Sequence, residues 1–215
     1  MQYKIITISR ELGSGGRIIG KKVADQLGYH FYDREIIDQT AKISGFSKEQ
    51  ILHSEEKITN SFLYNVAMGT GYGLGVLSGN GKESLPLNAQ IYLAQRQAIQ
   101  ALAKKGPCVI VGRCADYVLR NQERVLRCYL YAPDAYRASS VASLNLSTAS
   151  EYQPLIDEVD KARASYYLKY TGYPVDNLEL RDLVVNTACL GLEGTVEMLA
   201  AFAAKKFGLN LKEQA

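Results

Sequence analysis

Three glycines and a serine form a turn near the amino terminus, between a β-type run and a helical pattern. The run Ile5–Ile8 is followed by Gly13, Ser14, Gly15 and Gly16, and the helical pattern begins near Arg17. A helix that starts after such a turn offers an anion unpaired backbone N–H groups and the positive end of its dipole. Glycine suits the turn because a Cβ would hinder positive φ angles and the close approach of a phosphate oxygen. The turn is therefore predicted to bind phosphate.

Two registers can be written for the phosphate loop. The segment Gly15–Lys22 matches the GxxxxGK part of the P-loop pattern and lacks only its final Ser/Thr. That register would put Ile18 and Ile19 in an exposed loop, whereas the apolar spacing that continues through Val23 predicts a helix packed on a sheet. We therefore favour a loop that runs from Arg10 to Gly16.

The favoured register leaves two side chains of the usual P-loop without an equivalent. Gly16 stands where the phosphate-binding lysine is expected, and Ile18 stands where a hydroxyl would bind Mg²⁺. Arg10 or Arg17 could supply the missing positive charge, and Ser14 could supply a hydroxyl. The sequence does not choose between the two arginines.

A dinucleotide-binding turn is a competing interpretation of the same glycines. Gly13-x-Gly15 is followed about twenty positions later by Asp33, at the end of a second β-type run. The third glycine of that pattern is missing, because Ile18 stands there. The three residues Arg10-Glu11-Leu12 before the glycines also fit a wider phosphate loop better.

Short β-rich runs alternate with helical patterns along the whole chain. This alternation predicts an α/β fold, a single domain over residues 1–215 with a parallel five-stranded sheet and helices on both faces. The predicted strands are Ile5–Ile8, His30–Tyr32, Cys108–Val111, Leu126–Tyr131 and Leu183–Asn186. One predicted helix begins near Arg17. Three further helices are predicted over Ile91–Lys104, Asp157–Tyr170 and Val196–Lys205.

Two stretches interrupt this alternation. Residues from about Ile43 to Leu87 hold two glycine-rich segments without periodicity, which indicates a flexible excursion. The Ser-, Ala- and Thr-rich stretch Ala138–Gln153 leads into the tyrosine-rich helix, and the lid-like segment as a whole covers about 137–170. Both stretches are also compatible with ordinary surface loops.

Composition excludes several classes of protein. The 25 basic and 22 acidic residues nearly balance and are dispersed, which argues against a nucleic-acid-binding surface. Neither a secretion signal nor an apolar stretch of the ~20 residues that cross a bilayer is recognised, so no membrane association is expected. The 4 cysteines lack metal-binding spacing and fit reduced thiols of a cytoplasmic protein.

Five motifs in order resemble the cytidylate kinase-like family, a branch of the nucleoside monophosphate kinases. The resemblance runs over nearly the whole chain, and several of its motifs are long enough to be specific. The motifs are Thr7–Arg17, Phe31–Arg34, Gly106–Arg113, Asp160–Arg163 and Asp182–Thr187.

The resemblance implies a P-loop kinase core with a monophosphate-binding excursion after the second strand and an arginine-bearing lid after the fourth. It implies ATP and Mg²⁺ as cofactors, with Gly13–Arg17 around the donor phosphates. Asp33 and Arg113 would face the acceptor, and Arg137 and Arg163 would occupy lid positions. Arginine suits such sites because its planar guanidinium matches phosphate oxygens.

Each implied site residue also has an ordinary structural explanation. Asp33 could cap the helix that begins at Arg34, and Arg163 could pair with Glu158 or Asp160 on its own helix. Arg137 could be a solvated helix residue. The tyrosines of the lid helix fit packing better than base stacking; they are Tyr166, Tyr167 and Tyr170.

The leading hypothesis is an ATP-dependent kinase for a nucleoside monophosphate, cytidylate-like, or for another small phosphate acceptor. In it Arg17, Arg113 and Arg163 act at the transferred phosphate, while Arg10 shares the donor site and Arg137 the acceptor site. The alternative is a nucleotide-binding module with little or no transfer, since Gly16 and Ile18 replace the lysine and hydroxyl. A dinucleotide-dependent redox enzyme is a third hypothesis, and homodimerisation through the apolar helices stays open.

Overall fold

A five-stranded parallel sheet is the central element of the fold, and β1 lies in its middle. The structure, a computed structural model, describes residues 3–53, 85–145 and 149–209. The strand order is β2-β3-β1-β4-β5. The strands are β1 (Ile5–Arg10), β2 (His30–Tyr32), β3 (Cys108–Val111), β4 (Val125–Tyr131) and β5 (Leu183–Asn186). The predicted parallel α/β sheet is confirmed, and all five predicted strands are present.

Helices follow the strands in the order that the sequence pattern predicts. Between labelled helices, residues 48–53 are also helical. The labelled helices are α1 (Gly16–Leu27), α2 (Glu35–Ser44), α3 (Leu87–Leu102), α4 (Ala115–Val118), α5 (Asp134–Asn145), α6 (Ala149–Thr171) and α7 (Thr187–Phe207). A short 3₁₀ turn covers Leu178–Leu180.

Two apolar cores lie on the two faces of the sheet, which makes the architecture three-layered. On one face α1 and α7 cover strand residues such as Ile6, Val109 and Leu126. On the other face α3 and α4 cover Ile5 and Ile110. Strands buried on both faces must be apolar at nearly every position, and this explains why β1 and β3 were readable from sequence.

The strand order changes direction at β1, and this places a crevice above its carboxyl end. The chain leaves β1 toward β2 on one side and later adds β4 on the other side, where Ile8 pairs with both Val111 and Cys128. Ligands of open α/β sheets bind at such a switch point, beyond the carboxyl ends of the strands. Strand β1 continues to Arg10, two residues past the predicted end, because Arg10 pairs with Leu130 of β4.

Both interruptions of the alternation are more regular than the sequence suggests. The predicted flexible excursion is wrong in its first part, because residues 48–53 are helical and Ile51 packs with Ile37 and Ile91. The glycine-rich segments within 54–84 lie outside the described residues.

The described parts of the Ser- and Ala-rich stretch after β4, up to residue 145 and from residue 149, form the end of α5 and the start of α6. Alanine is a strong helix former, and contacts stabilise these helices further. Ala138, Val141 and Ile156 pack together with Leu12 of the phosphate turn. The lid-like segment therefore rests directly on that turn.

Helix α7 is longer than predicted and is the most apolar helix described. It begins at Thr187, where the Asn186 side chain accepts a hydrogen bond from the Ala188 N–H, and it bends at Gly191. With 21 residues and a mean hydropathy of 1.3, it meets the length and composition of a membrane span. The expectation that no apolar stretch approaches that length is therefore wrong. Its Leu199 and Ala203 are fully buried against the sheet, as in a core helix.

Ile19 and Ile18 offer a matched test of the α1 register. Ile19 is fully buried, whereas 40% of Ile18 is exposed. Ile19→Ala should lower the free energy of unfolding by about 2–5 kcal/mol, because it removes buried methyl groups and leaves a cavity. Ile18→Ala should lower it by less than about 1 kcal/mol. Urea denaturation measures both, and equal losses would contradict this register.

Candidate functional site

The phosphate turn joins β1 to α1 in the geometry of an anion site. Gly13 and Gly15 adopt left-handed φ angles of 83° and 78°, and α1 begins at Gly16. The Ser14 side chain is fully buried and its hydroxyl donates to the Glu11 carbonyl at 2.9 Å. In the part of the chain that the structure describes, the N–H groups from Gly13 to Gly15 donate to no protein acceptor. They are therefore available to a ligand.

Close packing below the turn also requires its glycines. A Cβ on Gly13 would lie 2.6 Å from the Arg137 carbonyl oxygen, and one on Gly15 would lie 2.3 Å from Leu192 Cδ2. A Cβ on Gly16 would lie 2.7 Å from Arg10 Cβ. Packing thus adds a reason for these glycines beside the positive φ angles and the approach of a phosphate, because helices and a side chain fill the space on their Cβ side.

The competing GxxxxGK register is not compatible with this geometry. Lys21 is exposed on α1 and pairs with Asp25 on the same helix. Gly20 lies inside the helix, where a Cβ would meet Ile8 and Val111 at 3.1 Å. The loop from Arg10 to Gly16 is the register that the structure adopts.

A left-handed turn at the end of β3 positions Arg113. Gly112, Arg113 and Cys114 have φ angles of 79°, 52° and 55°. Non-glycine residues in this region are uncommon, and such strain concentrates at functional sites. Arg113 Nη1 donates to the Asp33 carbonyl oxygen at 3.4 Å, which places it beside the end of β2.

Three arginines converge on one cavity above the carboxyl ends of β1 and β3. Arg10, Arg113 and Arg163 line this cavity of about 60 Å³, together with Tyr166. We call these three residues the arginine cluster. Arg163 Nη1 also contacts the Arg10 carbonyl oxygen at 3.5 Å. The cavity exceeds the ~10–15 Å³ that one water requires, so it could admit a small anion.

Electrostatics within the arginine cluster favour an anion. Burial, together with the nearby charges of Arg163 and Arg113, lowers the pKa of Arg10 well below its usual range, to about 9. Burial also lowers the pKa of Arg163, although Asp160 opposes that effect. The charged forms are thus held at an energetic cost, which a bound phosphate would offset.

Arg17 and Asp33, which were expected on the donor and acceptor sides, form an ion pair. Arg17 Nε lies 2.7 Å from Asp33 Oδ2. The capping alternative for Asp33 is wrong, because Arg34 occupies the N-cap position of α2 and no side chain caps it. The pair joins the amino end of α1 to the end of β2.

Arg137 lies beside the arginine cluster, in a network of carboxylates below the phosphate turn, and shares Asp160 with Arg163. Its side chain is only 8% exposed, so the solvated alternative is wrong. The guanidinium pairs with Asp160, with Asp134 at 2.6 Å and with Glu11 at 3.4 Å. It also donates to the Leu12 carbonyl oxygen at 3.3 Å. These contacts give Arg137 a structural role at the base of the lid.

Asp160 makes more contacts at the site than the sequence indicates. It was considered only as a partner for Arg163, which it does contact at 3.3 Å. It also pairs with Arg137 and accepts the Leu12 N–H at 2.8 Å. One carboxylate of α6 thus binds the phosphate turn and two arginines. Its membership in the Asp160–Arg163 motif was the available signal.

The tyrosines of α6 have packing roles, as expected. Tyr166 donates to the Gln95 side chain at 2.6 Å, and Tyr170 donates to the Asn88 carbonyl oxygen at 2.9 Å. Tyr170 also stacks on Tyr92 with ring centroids 4.0 Å apart. Helix α6 is therefore attached to α3 as well as to the phosphate turn.

A buried ion pair, which the sequence does not indicate, binds the hydroxyl group of Tyr167. Arg181 and Asp116 pair with side chains 1% and 2% exposed. Tyr167 donates to Asp116 at 2.7 Å, and the Arg181 guanidinium lies 5.2 Å from the Tyr167 ring. These residues come from distant parts of the chain, so sequence spacing could not connect them.

The protein side chains provide few ligands for a divalent cation. Across residues 3–53, 85–145 and 149–209, no group of three His, Cys, Asp or Glu residues is placed to hold a metal ion. In the adopted register the hydroxyl position directly follows Gly16 and holds Arg17, so the expectation of Ile18 there is wrong by one residue. Arg17 is a cation that pairs with Asp33 and offers no oxygen ligand. A Mg²⁺ ion fits this site only as an ion carried by nucleotide phosphates and water.

The sheet order, the phosphate turn and the arginine cluster together define a parallel α/β protein with a cationic cavity at its topological switch point. The chain belongs to the cytidylate kinase-like family, whose sequence pattern it matches over residues 5–188. A cytidylate kinase of Pyrococcus horikoshii is 28% identical, over 92% of this chain and 86% of that protein. A cytidylate kinase of Archaeoglobus fulgidus is 25% identical, over 96% of this chain and 99% of that protein.

A solved structure supports the fold independently. An uncharacterized protein from Eubacterium ventriosum superimposes with a TM-score of 0.67 over 93% of this chain and 98% of its own, at 19% identity. This likeness concerns the fold alone.

Removing Arg137 should destabilise the fold more than removing an exposed lysine. Arg137→Met should lower the free energy of unfolding by about 3–5 kcal/mol, because it leaves neighbouring carboxylates without their shared cation. Lys21→Met is the control: it removes an exposed i,i+4 pair worth about 0.3–0.5 kcal/mol. Denaturant unfolding measures both, and similar losses would contradict the structural role of Arg137.

Proposed function

We propose that the protein is an ATP-dependent phosphotransferase that acts on a nucleoside monophosphate, with cytidine monophosphate as the first acceptor to test. The observation that carries this proposal is the arginine cluster. Three guanidinium groups, from Arg10, Arg113 and Arg163, line one cavity at the carboxyl ends of β1 and β3. Phosphoryl transfer depends mainly on positioning and on cations that neutralise the transferring group.

The phosphate turn would bind the donor. Its open N–H groups and the amino end of α1 suit the β- and γ-phosphates of ATP, and Ser14 fixes the loop through its bond to Glu11. ATP would supply the transferred phosphoryl group. Mg²⁺ would reach the site with the nucleotide, because the residues around the turn offer it few ligands.

The acceptor would lie on the β2 side of the cavity. Arg113, held by its left-handed turn, could orient the acceptor phosphate, and Asp33 lies next to it with Arg17 as its partner. Arg163 approaches from the lid helix and could close the cavity from above. Arg137, although expected among acceptor-binding residues, is better explained as the structural base of the lid.

The relatives and the composition support a cytoplasmic enzyme with small-molecule partners. The relatives described above are cytidylate kinases. The dispersed charge fits neither a nucleic-acid partner nor a membrane surface. Homodimerisation through the apolar helices could use exposed residues of α7, such as Leu190 and Phe202.

A nucleotide-binding module without transfer is the second candidate function. It is favoured by one observation: Gly16 and Arg17 stand where transferring P-loop enzymes have a lysine and, directly after it, a residue with a hydroxyl. Titration calorimetry would then give nucleotide affinity that depends little on Mg²⁺. The kinase hypothesis expects Mg²⁺ to be required for turnover.

A coupled ADP-release assay with ATP, Mg²⁺ and each nucleoside monophosphate tests the proposed enzyme. Turnover should be highest with one of the nucleoside monophosphates and absent when no acceptor is added. Arg113→Met should lower kcat/KM by about 10²–10³-fold, because a preorganised cation at a phosphate is lost. The control Arg124→Met, on the exposed side after α4, should leave kcat/KM within about twofold.

Two results would contradict the proposed enzyme. ATP binding without turnover on any acceptor would favour the binding module. Turnover that survives Arg113→Met unchanged would remove the arginine cluster as its basis. Calorimetry on the same preparations separates the two results, because it measures ATP affinity directly.

A further inference from the structure

We propose that Arg10 takes the place of the P-loop lysine, and that Gly16 and Gly112 are glycines in order to admit its side chain. This inference rests on the proposed function, because it names the cation that contacts the transferred phosphate. It also chooses between Arg10 and Arg17, which the sequence left open.

The Arg10 side chain occupies the space that a side chain at position 16 would need. A Cβ on Gly16 would lie 2.7 Å from Arg10 Cβ and 2.9 Å from Arg10 Cγ. Cβ atoms essentially never approach other atoms so closely, so a lysine at position 16 and the present path of Arg10 exclude each other. The aliphatic part of Arg10 therefore lies where the side chain of a P-loop lysine would begin.

Gly112 admits the other end of the same side chain. A Cβ on Gly112 would lie 2.4 Å from Arg10 Nη1 and 3.2 Å from Arg10 Cζ. The Arg10 side chain thus crosses from the start of α1 to the end of β3, with one glycine at each end of its path. Its guanidinium reaches the cavity that Arg113 and Arg163 also line.

Arg17 is placed differently. Its side chain is 56% exposed and is held by Asp33 at 2.7 Å. In contrast, none of the ion pairs among residues 3–53, 85–145 and 149–209 includes Arg10. A cation whose charge is already matched by a carboxylate has less to offer a phosphate than one without such a partner.

The surroundings of Arg10 make a phosphate a favourable partner. Burial is the largest effect that lowers the pKa of its guanidinium, and the charges of Arg163 and Arg113 act in the same direction. Asp33 and Asp160 lie near enough to oppose this effect without forming an ion pair. A phosphate would compensate the charge and accept two N–H groups of the planar guanidinium.

The chemical step needs no proton from Arg10. An oxygen of the acceptor phosphate forms a bond to the γ-phosphorus of ATP while the bond between that phosphorus and the β,γ-bridging oxygen breaks. ADP leaves with the bond electrons, and the acceptor becomes a diphosphate. Arg10 remains protonated throughout and neutralises charge on the oxygens of the phosphoryl group in transfer.

The first test compares three side chains at position 10 in the ADP-release assay with ATP and cytidine monophosphate. Arg10→Met should lower kcat by about 10²–10³-fold and change the acceptor KM by less than about tenfold. Arg10→Lys keeps the charge without the planar fork, so its kcat should lie between those of Arg10→Met and the unchanged protein. A kcat for Arg10→Met equal to that of the unchanged protein would overturn the inference.

The second test asks whether Gly16 acts through Arg10. Gly16→Ala should displace the Arg10 side chain and lower kcat by about tenfold or more, but by less than about twofold in the Arg10→Met background. Gly106→Ala is the matched control, since a Cβ there meets only His30, at 3.6 Å. An equal loss from Gly16→Ala in both backgrounds would overturn the role assigned to Gly16.

A binding measurement separates failure of this inference from failure of the proposed function. Thermal unfolding first confirms that each variant is folded. If the unchanged protein transfers no phosphate, the proposed function fails, and Arg10 is judged by affinity for ATP relative to ADP. Arg10→Met should then lower the ATP/ADP affinity ratio by about tenfold, because its partner is the γ-phosphate. An unchanged ratio would overturn the inference.

Discussion

The contacts of one carboxylate determine how the site is assembled. Asp160 of α6 accepts the N–H of Leu12 in the phosphate turn and pairs with Arg137 and Arg163. The turn, the base of the lid and one member of the arginine cluster are therefore fixed by the same two oxygen atoms. A charged acceptor shared among donors in a partly buried place is worth more than an exposed ion pair, because solvent screens it less. Without it, two adjacent arginines would lack a shared counter-charge.

The sheet could be predicted from sequence because of its burial. Strands β1 and β3 are covered on both faces, so their residues are apolar almost without interruption, and the runs stand out. The end of α5 and the start of α6 were harder to predict than the tyrosine-rich remainder of α6, which the sequence pattern does indicate. This Ser- and Ala-rich stretch has little hydrophobic periodicity, and the packing of Leu12 against the cluster of α5 and α6 residues around Ile156 stabilises the helices in the folded state. Tertiary packing of this kind has no counterpart in a local pattern.

The candidate site could be predicted in its parts and not in its arrangement. The turn, Arg113 and Arg163 were found because strand ends and motifs indicate position along the chain. The path of Arg10 depends on Gly16 and Gly112, which are far apart in sequence and meet only in the fold. Arg17 and Arg137 have ion-pair partners that the sequence pattern does not show, for the same reason. Their partners, Asp33 and Asp160, are set by how helices lie against strand ends.

Helix α6 connects two regions that a transfer enzyme would have to bring together. Near its middle, Asp160 binds the phosphate turn, and closer to its end Tyr166 and Tyr170 bind α3, which follows the excursion after β2. A helix is stiff along its axis, so a rotation of α6 that shifts Asp160 must also shift the two tyrosine hydroxyls. The position of the phosphate turn and the position of α3 are therefore linked through the single helix α6.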